Sequence, residues 1–189
     1  MDPKKLRKRY MQIVPHLNKA MQHVHEQLAD LPPGEFQLET NHKPYSSVKR
    51  KMLDRKEKDP LALSDLVRGR IFFSDQFQVE EVLDILEKLL GPYIDKEEKK
   101  SETNWGLEYH GITHIDLNIN GVNFELQIMP MEFKPYKEFL HQIYEKFRNT
   151  KTRDKLTDRQ KELLRKIHNK LYKALDDKSK ENRKASQKE

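Results

Sequence analysis

A two-residue turn between two alternating segments most constrains how this chain folds. Residues 112–119 and 122–129 alternate apolar and polar side chains, and Asn120-Gly121 joins them. Alternation with a period of two is typical of a strand buried on one face. An Asn-Gly pair suits a type I′ turn, because both central residues of that turn need a positive φ. The sequence therefore predicts an antiparallel β-hairpin over residues 112–129.

The two faces of the predicted hairpin differ in their chemistry. One face is apolar and carries Ile115, Leu117, Ile119, Phe124, Leu126 and Ile128. The other carries His114, Asp116, Asn118, Glu125 and Gln127. The pattern allows two interpretations of this polar face: a solvated surface, as in many antiparallel sheets, or a site in which carboxylates bind Mg²⁺.

Periodicity predicts helices at both ends of the chain and strands in its middle. Helical spacing covers residues 3–30, 46–58, 78–90, 131–148 and 158–175, with a kink or break expected at Pro15. Residues 66–73 and a short segment from Tyr93 are predicted strands, and 35–45 a loop or short strand. Residues 96–104 are predicted to form a charged, mobile loop, and the chain after Asp176 to be disordered.

Composition narrows the class of protein. A chain of 189 residues suits one domain with a helical extension. The absence of cysteine excludes disulfides and thiolate metal sites and fits a cytoplasmic location. No apolar run approaches the roughly 20 residues of a membrane span, and the basic N-terminus lacks the apolar stretch of a signal peptide. We therefore expect no membrane partner.

The net charge of +6 favours polyanionic partners such as nucleotides or RNA, although lysine-rich solubility explains it equally well. Candidate phosphate-binding cations lie close in sequence to Asp65: Lys43, Lys49, Arg50, Lys51, Arg68 and Arg70. The chain has no Gly-rich phosphate loop, which argues against P-loop and Rossmann sites. Two carboxylates with Mg²⁺ and several cations indicate phosphoryl-type transfer.

Four segments together resemble a known family, the RelA/SpoT synthetase domain of stringent-response enzymes and small alarmone synthetases. They are Lys43-Pro-Tyr-Ser-Ser-Val-Lys-Arg-Lys51-Met, Asp65-Leu-Val-Arg-Gly-Arg70-Ile, Tyr109-His-Gly-Ile-Thr-His114 and Glu125-Leu-Gln127-Ile. The segment His141-Gln-Ile-Tyr144-Glu-Lys also resembles the helix that follows in the family. The match spans residues 43–146, a little over half the chain.

The resemblance implies a fold class and a division of the chain. The class is α/β (α+β), a nucleotidyltransferase-like mixed β-sheet flanked by helices, with N- and C-terminal helical extensions. Residues 1–31 would be an N-terminal helical segment and 32–150 the synthetase-like domain. Residues 151–177 would be a C-terminal helix and 178–189 a disordered basic tail.

The resemblance also implies an activity, namely Mg²⁺-dependent transfer of pyrophosphate from ATP to the 3′-hydroxyl of GDP or GTP. Asp65 and Glu125 would be the catalytic carboxylates and the Mg²⁺ ligands. The ATP phosphates would be bound by Lys43, Ser47, Lys51 and Arg70. The acceptor would be bound by Tyr109, His114 and Gln127.

Departures from the family pattern leave the acceptor open. Glu108 stands where a glycine is expected before the tyrosine, and His110 is an alternative counterpart of that tyrosine. Asn41 and Met129 stand where arginines are usual. Three alternatives to guanosine alarmone synthesis remain: a toxin that modifies the tRNA 3′ end, one that makes adenosine alarmones, and a non-catalytic nucleotide- or RNA-binding module. The candidate partners are thus ATP, GDP or GTP, tRNA and an antitoxin, and homo-oligomerisation is left open.

Overall fold

The computed structural model describes residues 2–63, 65–99, 107 and 112–186, without the side chains of 96–99, 150 and 186. Its strands are β1 (Phe36–His42), β2 (Val67–Phe73), β3 (Ile94–Lys99), β4 (Thr113–Ile119) and β5 (Val122–Pro130). Its α-helices are α1 (Pro3–Gln27), α2 (Tyr45–Arg55), α3 (Val79–Leu90), α4 (Lys137–Arg148), α5 (Thr150–Arg153) and α6 (Asp158–Ser186). Short 3₁₀ helices span Pro60–Ala62, Gly91–Tyr93 and Met131–Tyr136.

The strands form one five-stranded mixed sheet in the order β1-β2-β5-β4-β3. The pair β2–β5 is parallel, and the other three pairs are antiparallel. The parallel register places Arg68 beside Glu125 and Arg70 beside Gln127. The predicted mixed sheet flanked by helices is thus confirmed.

The predicted hairpin is confirmed down to its turn. Asn120 has φ 52° and Gly121 has φ 81°, as a type I′ turn requires. The apolar residues of β4 and β5 are buried, and α1 and α3 contribute buried residues to the same core. Burying this face against helices leaves the opposite face of the sheet for the polar residues.

Several helix and loop boundaries differ from the prediction. Helix α1 continues through Pro15, so the expected break is wrong. Residues 131–136 form a 3₁₀ helix that contains Pro135, and the α-helix begins only at Lys137, because proline cannot donate a backbone hydrogen bond inside an α-helix. Residues 96–99 belong to β3 rather than to a loop, and 100–104 lie outside the described residues.

The predicted disordered tail is wrong for residues 178–186, which continue α6. Ser179 and Arg183 are buried there, and the Arg183 guanidinium donates to Ser179 Oγ and lies 6.0 Å from the Phe73 ring. Asn182 Nδ2 donates to Glu132 Oε1 at 2.8 Å. These polar contacts hold a helix end that carries few apolar residues. Neither α6 nor any other helix of the described residues combines the length and the apolar character that a bilayer-spanning helix needs.

A second apolar cluster covers one end of the polar sheet face. It joins Phe72 and Met129 of the sheet to Phe133, Leu140 of α4, and Tyr172 and Leu175 of α6. Helices α4 and α6 therefore lie over the polar face and enclose a space between themselves and the sheet.

Gly69 tests the packing at the centre of β2. An alanine there would place its Cβ 2.7 Å from Leu126 Cδ1 and 2.8 Å from Phe124 Cε1. Overpacking of a core costs about 1–3 kcal/mol, so urea unfolding of Gly69→Ala should show a loss in that range. At Gly91 the added Cβ would meet only Glu87 Cγ at 3.9 Å, so Gly91→Ala serves as the control. Equal stability of Gly69→Ala and wild type would contradict this packing.

Candidate functional site

A cavity of about 380 Å³ lies between the polar sheet face and helices α4 and α6. Among the described residues, its walls include six Lys or Arg side chains and two carboxylates, Asp65 and Glu125. The basic side chains are Lys51, Arg55, Arg68, Arg70, Lys137 and Arg148. The excess of positive charge in a concave site favours an anionic ligand such as a polyphosphate.

Asp65 is the electrostatic centre of the site. Its side chain is 7% exposed, and its Oδ2 lies 2.9 Å from Lys43 Nζ and 2.8 Å from Arg68 Nη2. Lys51 Nζ contacts the other oxygen, Oδ1. Burial acts to raise the pKa of Asp65, but the hydrogen bonds and charges of Lys51 and Lys43 outweigh it and hold that pKa below its usual range. Asp65 is therefore ionised at neutral pH.

Local structure holds Lys43 against Asp65. Lys43 follows the last residue of β1 and precedes α2, whose N-cap is Pro44. The backbone N–H of Lys43 donates to the Leu66 carbonyl at 2.9 Å, and the Lys43 carbonyl accepts a hydrogen bond from the Tyr10 hydroxyl at 2.5 Å. Burial and the charge of Arg68 lower the pKa of Lys43 to about 8, although Asp65 acts to raise it.

Arg68 links the two carboxylates of the cavity. Its Nη2 donates to Asp65, and its Nε lies 3.6 Å from Glu125 Oε1. Gln127 Nε2 donates to the same Glu125 oxygen at 3.0 Å, and Arg70 Nε donates to Gln127 Oε1 at 3.3 Å. A continuous row of polar contacts thus crosses from Asp65 to Arg70 on the parallel strands β2 and β5.

Helix α4 forms the facing wall with His141, Tyr144 and Arg148. The rings of His141 and Tyr144 are stacked, with centroids 6.1 Å apart, and the Arg148 guanidinium lies 6.0 Å from the Tyr144 ring. Burial lowers the pKa of His141, and Arg68 and Arg70 lower it further, against the opposing effect of Glu145. The imidazole is therefore mainly neutral at pH 7.

The structure brings six of the nine sequence-predicted site residues together around the cavity: Asp65, Glu125, Lys51, Arg70, His114 and Gln127. Lys43 reaches Asp65 but is not part of the cavity wall. Ser47 is half-buried on α2 and does not line the cavity. Tyr109 lies outside the described residues, so its predicted role is untested.

Sequence reasoning missed part of the wall. The bridging position of Arg68 depends on the parallel pairing of β2 and β5, which periodicity does not reveal. His141, Tyr144 and Arg148 recur at helical spacing on one face of α4, a signal that could have found them. His168 and Tyr172 of α6 are four residues apart, so the same helical spacing could have found them.

Asp65 and Glu125 could hold a metal ion together. Within the described ranges, no group of three or more His, Cys, Asp or Glu residues is close enough to bind a metal. Mg²⁺, however, is commonly bound by one or two carboxylates together with phosphates and water. One guanidinium contacts both carboxylates, so both of them face a position that a cation can occupy. The donor set therefore fits Mg²⁺.

No protein-family model and no curated protein matches the sequence. Solved structures do resemble the chain. A GTP pyrophosphokinase family protein from Streptococcus pneumoniae has a TM-score of 0.61 at 21% identity, covering 98% of this chain and 94% of that one. The small alarmone synthetase 1 from Bacillus subtilis bound to its product pppGpp has a TM-score of 0.57 at 16% identity, covering 94% of both chains.

A third similar structure is the complex between the Type VI effector Tas1 and its immunity protein. The matching chain has a TM-score of 0.55 at 18% identity and covers 100% of both chains. At these identities the similarity establishes a shared fold. The resemblance drawn from the sequence motifs is thereby confirmed at the level of the fold.

Replacing Asp65 with Asn should destabilise the protein strongly. The change leaves Lys43, Lys51 and Arg68 without their shared carboxylate. Removing one partner of a buried ion pair costs about 3–5 kcal/mol, and urea unfolding at pH 7 should show a loss near the lower figure. The control is Asp154→Asn, because that side chain is 72% exposed and its ion pair should contribute little.

The loss of stability in Asp65→Asn should be smaller at pH 9 than at pH 7. The pKa of Lys43 is about 8 against an ordinary 10.5, so above pH 8 the unfolded chain binds more protons and stability rises with pH. In Asp65→Asn the pKa of Lys43 falls further, because the carboxylate that raises it is gone. The stability of the variant therefore begins to rise at a lower pH than that of the wild type, and the difference between the two proteins narrows by pH 9. A loss that stays constant or grows between pH 7 and pH 9 would contradict the charge-based account.

Proposed function

We propose that the protein transfers the β,γ-pyrophosphate group of ATP to the 3′-hydroxyl of a second nucleotide, with Mg²⁺ at Asp65 and Glu125. The observation that carries the proposal is the joint contact of Arg68 with both carboxylates inside a cavity rich in basic side chains. The shared fold with a GTP pyrophosphokinase family protein and with a small alarmone synthetase supports it.

The proposed reaction is a displacement at the β-phosphorus of ATP. The acceptor oxygen forms a bond to that phosphorus, the bond from the phosphorus to the bridging α,β-oxygen breaks, and AMP leaves. The acceptor hydroxyl loses its proton, and we assign Glu125 as the group that receives it. Gln127 holds Glu125 in place by its hydrogen bond to Oε1.

The basic side chains of the cavity would bind the triphosphate. Lys51 and Arg55 project from α2, Arg70 from β2 and Arg148 from α4, so the cations surround the space from three elements. Positioned cations stabilise the charge that spreads over phosphate oxygens in the transition state. When bound, Mg²⁺ would add to this by neutralising charge between the phosphates.

The proposed acceptor is GDP or GTP. The similar Bacillus subtilis structure contains pppGpp as its product, which favours a guanine nucleotide. A toxin that uses tRNA or an adenine nucleotide is the second candidate, because a Type VI effector bound to its immunity protein shares the fold. If the protein is such a toxin, we expect it to have a protein inhibitor as a partner. A non-catalytic binding module is less well supported, because the similar solved structures include a GTP pyrophosphokinase family protein and a small alarmone synthetase.

A transfer assay tests the proposal. Purified protein, Mg²⁺ and γ-³²P-ATP would be incubated separately with GDP, GTP, ATP and deacylated tRNA, and labelled products would be separated. We expect label on GDP or GTP, and a loss of at least about 100-fold in Glu125→Gln, because that variant lacks the proton acceptor.

The acceptor that carries label decides between the candidates. Label on tRNA or ATP alone would favour the toxin, and no transfer to any acceptor by folded protein would contradict the proposed function. Asp154→Asn is the matched control, because it alters a carboxylate outside the cavity.

Arg68→Gln should strengthen metal binding in the absence of nucleotide. The variant removes the cation that now contacts both carboxylates, so a divalent ion no longer competes with it. Titration with Mn²⁺ followed by electron paramagnetic resonance should show roughly tenfold tighter binding, the scale of one charged hydrogen bond. Glu125→Gln should bind Mn²⁺ more weakly than wild type. Weaker binding in Arg68→Gln would show that the guanidinium does not occupy the metal position.

A further inference from the structure

A groove with a charge opposite to that of the candidate site lies on the other face of the sheet. It has a volume of about 410 Å³ and lies between α3 and the beginning of the edge strand β3. Its apolar lining comprises Leu83, Ile94 and Ile115. Its charged lining comprises three exposed carboxylates of α3, namely Glu80, Asp84 and Glu87. Among the described residues, no Lys or Arg lines this acidic groove, although the chain as a whole carries a charge of +6.

The outward face of α6 combines positive charge with exposed apolar side chains. Leu163 and Ile167 are 57% and 37% exposed and lie one helical turn apart, so they form a patch. Beside them lie three exposed basic side chains: Lys166, Lys170 and Lys173. The opposite face of the helix is buried in the second apolar cluster through Tyr172 and Leu175. Packing within the chain therefore accounts for the inner face of α6 and leaves the outward face open to a partner.

The two surfaces are complementary in the spacing of their charges. The carboxylates of the acidic groove recur along α3 after four and three residues, at 80, 84 and 87. The ammonium groups of the outward face recur along α6 at the same intervals, at 166, 170 and 173. In each helix this spacing places the three side chains on one face, over about 10 Å. An antiparallel alignment sets Lys170 opposite Asp84 and brings the two flanking pairs within about 1.5 Å of register.

The same alignment brings the apolar parts of the two surfaces together. It places the end of α6 that carries Leu163 and Ile167 at the end of α3 that precedes Ile94. Contact there would remove from water apolar surface that a single chain exposes. Lys166 contacts Glu162 of its own helix at 3.5 Å, but both side chains are more than half exposed and such a pair contributes little.

We propose that copies of this chain associate, with the outward face of α6 of one copy in the acidic groove of another. A copy cannot fill its own groove, because contacts with Glu132 and Phe133 fix α6 on the other face of the sheet. Each copy carries one groove and one outward face, so the contact joins unlike surfaces and can close into a ring of two or more copies. The inference does not depend on the proposed function.

This contact would act on the candidate site through the inner face of α6. His168 and Tyr172 of that face line the cavity of the candidate site. A neighbouring copy that holds the outward face would therefore restrain one wall of the cavity.

Light scattering after size-exclusion chromatography, at increasing protein concentration and low ionic strength, tests the proposal. The wild type should reach a mass of two or more chains. Asp84→Lys and Lys170→Glu should each weaken association at least about tenfold, because like charges then face each other. Lys19→Glu makes the same charge change as Lys170→Glu at an exposed position of α1, so it should associate as the wild type does.

Exchanging the charges gives the decisive result. Asp84→Lys and Lys170→Glu combined in one chain should restore association, and so should an equimolar mixture of the two single variants, because every groove then finds an outward face of opposite charge. A wild type that stays a single chain, association that survives both single changes, or a combined variant and a mixture that both stay dissociated would each overturn the inference.

The wild type alone provides a second test that does not depend on the folding of any variant. Its association should weaken as the salt concentration rises, because salt screens exposed charges. Association that is unaffected by salt would contradict a contact built on these charges.

Discussion

The ionised carboxylate of Asp65 holds the functional half of the molecule together. A buried charge is tolerated only when it is paired and hydrogen-bonded, and here Lys43, Lys51 and Arg68 meet that requirement. These three cations come from the end of β1, from α2 and from β2. One carboxylate thus fixes three elements beside the cavity.

The parallel pairing of β2 and β5 extends this cluster across the sheet. It places Arg68 next to Glu125, so that the guanidinium that balances Asp65 also contacts the second carboxylate. Gln127 and Arg70 continue the row of contacts away from the charged end. The arrangement leaves an excess of cations around two carboxylates, an environment that suits the metal ion and the polyphosphate of the proposed reaction.

Sequence reasoning recovered what local patterns encode and missed what tertiary contacts decide. The hairpin followed from period-two alternation and the Asn120-Gly121 turn, and the ordered motifs located Asp65 and Glu125. The parallel neighbour of β2 has no local signature, which is why the bridging role of Arg68 did not emerge. The sequence predicts that the C-terminal helix ends by residue 177, because the residues after it are polar. In the structure α6 continues to Ser186, and hydrogen bonds to Glu132 and Ser179 hold its final turns.

The central claim is that Asp65 and Glu125 share one cation while the cavity holds a polyphosphate. A crystal structure with Mn²⁺ and a non-hydrolysable ATP analogue tests it most directly, because anomalous scattering locates the manganese independently of the protein atoms. We predict manganese between Asp65 and Glu125, the triphosphate among Lys51, Arg70 and Arg148, and Arg68 turned from the carboxylates onto a phosphate. Manganese elsewhere, or a nucleotide outside the cavity, would contradict the account.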